Sequence, residues 1–189
     1  MAESKNLSGL AWFKANQSKY SNSNKISDLG SGFKSSVQAF EKALKAAGAK
    51  VAVSSTLRNK SRAAIMHYAW MVAKKKTAPN KVPKIQGVDI NFDHGDDKKS
   101  IDAAKAMIGS GGFNIAYKPS LTSRHIAGKA IDWTITWGKD LTIKDKSGKE
   151  VVVKSSPKNG TNKDLHPVGK SYGVVKLVSD APHWSTDGK

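Results

Sequence analysis

Three side chains in this sequence have the types and the spacing to share one metal ion: His125, Asp132 and His183. They lie in two short runs, Ser123-Arg124-His125-Ile126-Ala127-Gly128-Lys129-Ala130-Ile131-Asp132 and Asp180-Ala181-Pro182-His183-Trp184. Two imidazoles and a carboxylate leave a fourth position open, as in catalytic zinc sites, whereas structural zinc is enclosed by four ligands, mostly cysteine and histidine. The chain has no cysteine, so a thiolate cage is excluded. Asp180 is a spare carboxylate beside the last imidazole.

On a helix, His125 and Asp132 would share a face but stand roughly 10 Å apart along the axis, too far to hold one ion. A turn followed by a strand brings them together. In Ala130-Ile131-Asp132-Trp133-Thr134-Ile135-Thr136-Trp137 the bulky apolar residues alternate with small or polar ones, the period of a half-buried strand. Asp132 then shares a face with Thr134 and Thr136, opposite Trp133 and Ile135. Gly128 permits a tight bend or a close backbone approach. Ser171 to Val178 also reads as a strand, and Pro182 biases Ala181 away from helix. A turn at Ala181-Pro182 brings Asp180 and His183 to one site.

The pattern Ser123-x-His125-x-x-Gly128-x-Ala130-x-Asp132, followed by Asp180-x-x-His183-Trp184, resembles the signature of the zinc D-alanyl-D-alanine carboxypeptidase and phage L-alanyl-D-glutamate endopeptidase family. That family is related in fold to the vancomycin-resistance D,D-dipeptidases and the hedgehog domain. The resemblance spans residues 35 to 187 and is strong in the two motifs. It implies that His125, Asp132 and His183 bind one zinc ion and that Asp180 is the catalytic acid/base. Many relatives have glutamate where this chain has Asp180, and the aspartate form resembles certain phage endolysins. A weaker match at Ser54-Ser55-Thr56-Leu57-Arg58 implies that Arg58 polarises the scissile carbonyl or holds a substrate carboxylate; a glutamine frequent in the family further on is absent, Ala63 occupying that region. Ser123 and Trp184 are expected on the substrate side, although tryptophans such as Trp133, Trp137 and Trp184 are more often core or cleft wall than ligand stackers.

The resemblance implies a peptidoglycan hydrolase that cuts the stem peptide between L-alanine and D-glutamate, as a phage endolysin does. A D-alanyl-D-alanine carboxypeptidase is the enzymatic alternative. From another class, the chain could be a basic envelope- or nucleic-acid-binding module with a relic zinc site. The formal net charge of +17 favours polyanionic partners. Lysines cluster from Lys74 to Lys84 and from Lys139 to Lys163 with little aromatic interleaving, unlike a single-strand stacking platform. Peptidoglycan and the anionic cell envelope are therefore the expected partners, with no specific nucleic acid. No secretory leader and no membrane span is visible, so a monomer made in the cytoplasm and acting on the cell wall is expected.

Residues 4 to 20 read as an amphipathic helix, followed by a Ser/Asn/Gly stretch to about Ser36. Val37, Phe40 and Leu44 recur at helical spacing, with Gly48 as a stop. Val51 to Ser54 reads as a strand, Ser61 to Lys74 as a helix, Ile85 to Phe92 as extended, and Ser100 to Ile108 as a helix. Leu141 to Ile143 and Glu150 to Val153 read as a hairpin, and Asp164 to Lys170 as a helical turn. A single α+β domain with a central, mostly antiparallel sheet flanked by helices fits this order, residues 1–34 forming a helical extension and 35–187 the catalytic core. Asp93-His94-Gly95-Asp96-Asp97 lacks the ligand pattern of a calcium loop and reads as a solvated turn or helix cap, with a substrate-side loop or second ion site as the alternative. His67 and His166 read as structural.

Overall fold

A computed structural model describes residues 6–189. The elements run α1 (Leu10–Asn16), α2 (Ser31–Ala46), β1 (Lys50–Ser55), α3 (Lys60–Ala73), α4 (Asp97–Ile108), β2 (Ala130–Thr136), β3 (Leu141–Lys144), β4 (Glu150–Val153), α5 (Leu165–Ser171), β5 (Val175–Lys176) and β6 (His183–Ser185). This is the α+β class expected from the sequence, with an antiparallel sheet. The first two positions of the helix expected over 4–20 lie outside the described residues; the remainder forms α1 from Leu10, then a short 3-10 turn at Gln17–Tyr20.

By contacts the chain groups into two compact units, one holding the described residues up to Ser21 with Asn59–Leu121, the other Asn22–Arg58 with Thr122–Lys189. The boundary expected between residues 34 and 35 falls inside α2.

The first unit is helical. Trp12 and Phe13 of α1 pack with Ile65, Ala69 and Val72 of α3 and with Ala104 and Met107 of α4. The side chain of Asn59 caps α3 by accepting from the Arg62 N–H, and Asp96 caps α4 by accepting from the Lys99 N–H. Each cap satisfies one of the orphan N–H groups at a helix start. The Asp93–Asp97 run is thus a helix-capping segment. Ile85 to Phe92, expected as extended, contains no regular helix or strand and makes an isolated bridge from Asn91 to Leu7. No neighbouring strand pairs with the rest, and Ile85, Val88 and Phe92 serve as separate core anchors.

The second unit carries a four-stranded antiparallel sheet in the order β1-β2-β6-β5, and a separate β3–β4 hairpin. Helix α2 presents Phe33, Val37, Phe40 and Leu44 to a core shared with Trp133 and Ile135 of β2 and Trp184 of β6. It starts at Ser31, within the Ser/Asn/Gly stretch. A glycine inside a helix costs about 1 kcal/mol, whereas burying a side chain the size of Phe33 contributes roughly 1.5–3 kcal/mol. Burial therefore wins over the poor propensity of Ser31-Gly32. The Ser171–Val178 strand is also shorter than expected: Ser171 ends α5, and Gly173 turns the chain at a φ of 81° before β5.

Candidate metal centre

Strand β2 places Asp132 as the alternation predicts. Trp133 and Ile135 are buried on one face, while Thr134 and Thr136 on the other are exposed and Asp132 is half-buried. Antiparallel pairing sets Asp132 opposite His183 of β6. On the other side, Asp132 faces Ser55 of β1 across an irregularity between Val53 and Ser55. One extra β1 residue opposes β2 here, as in a β-bulge, which bends the strand and redirects the chain beyond it. Thr56 comes next along that redirected chain, and its carbonyl accepts from His125 Nδ1 at 2.6 Å.

His125 stands in a turn held by its neighbours. Ser123 Oγ accepts from the Ile126 N–H, and the Ser123 carbonyl accepts from the Ala127 N–H. Gly128 closes the turn at a φ of 65°, and a Cβ there would lie 2.9 Å from the Gly30 nitrogen. The Gly30 N–H donates to the Gly128 carbonyl at 2.9 Å. Both uses expected of this glycine, the bend and the close approach, are present. Arg124 forms a two-pronged ion pair with Asp187.

The three expected ligands meet. His125 Nε2 lies 3.2 Å from Asp132 Oδ1 and 3.2 Å from His183 Nδ1, and His183 Nδ1 lies 3.0 Å from the same carboxylate oxygen. A tetrahedral ion with bonds of about 2.0–2.1 Å needs ligand atoms about 3.3 Å apart, so the triangle has the right size. The remaining ring nitrogens are engaged elsewhere, His125 Nδ1 at the Thr56 carbonyl and His183 Nε2 at the Lys189 carbonyl, 3.1 Å away. Metal-bound histidines almost always donate their other N–H in this way, which fixes ring and tautomer. Among the described residues these three side chains form the one group able to hold a metal ion.

Charge follows the geometry. Burial alone would raise the Asp132 carboxyl, but hydrogen bonds from His125 and His183 outweigh it and hold the group well below the usual carboxylate range. The hydrogen bond to Asp132 raises His183 above the ordinary imidazole value, against the opposing effect of burial.

The other expected site residues fall out differently. Asp180 is exposed, and the His183 N–H donates to the Asp180 carbonyl at 3.1 Å, closing the turn through Ala181-Pro182. Its carboxylate is not one of the three ligands, yet it is near enough to favour the charged form of His183. Arg58 comes after β1, and its N–H donates to the His125 carbonyl at 3.2 Å. Its guanidinium makes no ion pair among the described residues. Ser123 is a turn cap. Trp184 is a correction: it is fully buried against Phe40 and His166, so it belongs to the core and cannot touch a substrate. Trp133 and Trp137 are core residues too. His67 is structural, bonded through Nδ1 to the Pro119 carbonyl.

Lys176 is a residue that sequence reasoning missed. It is 6% exposed, and its ammonium reaches the carbonyls of the turn before His183. A signal existed, since alternation puts Lys176 on the same face as the buried Val174. Compared with known proteins, the chain matches no protein-family model and no curated protein.

Proposed function

We propose that this protein is a zinc-dependent peptidoglycan hydrolase that cleaves the stem peptide at the L-alanyl-D-glutamate bond, acting as an endolysin. The observation that carries the metal part is the triangle of His125 Nε2, Asp132 Oδ1 and His183 Nδ1, closed to 3.2 Å or less with both distal ring nitrogens on main-chain carbonyls. The choice of bond rests on the likeness of the two motifs to the peptidase signature, aspartate at position 180 included.

Zinc bound there would act as a Lewis acid and bring the pKa of a coordinated water towards about 7. The residues of the chain then divide the work. His125 and His183 supply neutral donors and Asp132 an anionic one, the two rings already oriented by the Thr56 and Lys189 carbonyls. The exposed Asp180 carboxylate takes a proton from the attacking water and returns it to the departing amine, a role worth roughly 10²- to 10⁴-fold. Arg58, anchored by its main chain to His125, offers a cation for the developing oxyanion or a substrate carboxylate.

The test combines metal analysis of the purified protein with mass spectrometry of digested peptidoglycan. New L-alanine carboxyl and D-glutamate amino termini are the expected result. Loss of a single D-alanine would instead identify a carboxypeptidase, and a fully zinc-loaded protein that cleaves nothing would identify a binding module.

A further inference from the structure

The turn that joins β5 to β6 carries both Asp180 and His183, and it is built around a buried cation. Lys176 Nζ lies 2.5 Å from the Leu177 carbonyl, 2.5 Å from the Asp180 carbonyl and 3.1 Å from the His183 carbonyl. An ammonium has three N–H donors and no acceptor, so three converging carbonyls satisfy it completely. Each of these carbonyls also accepts one main-chain N–H: Asp180 donates to Leu177, His183 to Asp180, and Leu177 to His183. Every polar group at the centre of the turn is therefore paired, with the lysine donating to all three carbonyls. The aliphatic stem lies in the sheet opposite Trp184, whose ring stands 5.7 Å from Nζ. The far side of the turn is fixed as well, because the Trp133 N–H donates to the Pro182 carbonyl at 3.1 Å.

Lysine is rarely buried without a reason, because desolvating its charge is costly unless the charge is paired and hydrogen-bonded. An apolar residue would extend the core more cheaply at this position but would leave three carbonyls one donor short. We infer that Lys176 is a positioning residue of the metal centre: its ammonium fixes the main chain of Asp180 and His183, and so sets the His183 ring and the Asp180 carboxylate in register with Asp132. The inference rests on the metal reading of the triad and not on the choice of substrate.

The test is metal affinity, measured by competition with a chromophoric chelator, which needs no substrate. Lys176→Met keeps the stem and removes the donors; its zinc affinity should fall about 10- to 100-fold, the usual loss when a partner behind a metal ligand is removed. Under zinc saturation, kcat on peptidoglycan fragments should fall by a similar factor with KM nearly unchanged. The chain has no cysteine, so Lys176→Cys can be alkylated in the unfolded state with bromoethylamine and refolded, restoring an ammonium at the same reach. That adduct should recover affinity, and the unmodified cysteine should not. Should Lys176→Met not fold, Lys176→Arg carries the test, because a planar fork cannot serve three converging carbonyls and the same loss is expected. Wild-type zinc affinity in whichever variant folds overturns the inference. A wild-type protein that binds zinc but cleaves nothing would overturn the peptidase reading and leave the role of Lys176 to be decided by affinity.

Discussion

Asp180 and the triad make separable demands, which a single substitution can tell apart. Asp180 is exposed, and among the described residues its hydrogen bonds are made by its main chain, so Asp180→Asn should leave the fold and metal content intact while hydrolysis drops about 10²- to 10⁴-fold. Near-normal turnover in that variant would remove Asp180 from the mechanism. The triad makes a pH prediction of its own. His183 is raised by its bond to Asp132, so in metal-free protein this pair stabilises fully below about 6.5, the ordinary imidazole value, and the contribution is lost as pH rises through the raised value. Asp132 is depressed, so its contribution is present above the ordinary carboxylate value and lost only in strong acid. With metal bound the sign at neutral pH reverses, because protons compete with the ion for imidazole and affinity climbs with pH. Thermal melts in chelator should therefore show Tm falling from pH 6 to 8.5, while melts in excess zinc should hold or rise over the same range. Parallel curves would mean that the ion does not bind at His183.

The elements that deliver these side chains do so through main-chain contacts. The turn at His125 depends on Gly128, where an alanine would meet both a left-handed φ, costing about 1–3 kcal/mol for a non-glycine residue, and the Gly30 main chain at 2.9 Å. Gly128→Ala should lower stability by at least that range in a urea titration and weaken metal binding through His125; an unchanged midpoint would show that the turn is not under this constraint. The same dependence on main chain explains what could be read in advance. His125, Asp132 and His183 were legible because ligand chemistry is confined to few side chains, and the strand alternation around Trp133 and Ile135 gave Asp132 its face. The partners of the imidazoles were not legible: Thr56 and Lys189 act through carbonyls, which every residue has, and only register and the β1 bulge bring them close. Helix α2 began earlier than its composition implied because Phe33 is buried, which no local propensity records, and β5 was shorter because Gly173 turns the chain. Trp184 misled for a related reason. Its place beside His183 in sequence suggested the site, but alternation along β6 sends it to the opposite face, into the core with Phe40.

At the scale of the whole molecule the main quantity is charge, +17 over 189 residues. That total already counts Asp132, which is bonded to both histidines, and Asp187, which is paired with Arg124. No helix among the described residues is long and apolar enough to cross a membrane. Under the proposed function, the lysines are the groups that attract an anionic wall. Attraction of that kind is long-ranged and screened, the Debye length shrinking from about 10 Å at 0.1 M salt to about 3 Å at 1 M. The chemistry proposed for the triad would be short-ranged and shielded by the burial of His125 and His183. Salt should therefore separate the two. Between 0.05 and 0.5 M sodium chloride, about a tenfold or greater loss of retention on isolated cell walls is expected, while kcat/KM on a short uncharged stem-peptide analogue should stay within about twofold. A loss of both together would place the screened charges at the active site itself, with Arg58 as the first residue to neutralise. Retention that ignores salt would mean that the lysines are not what holds the protein to its substrate.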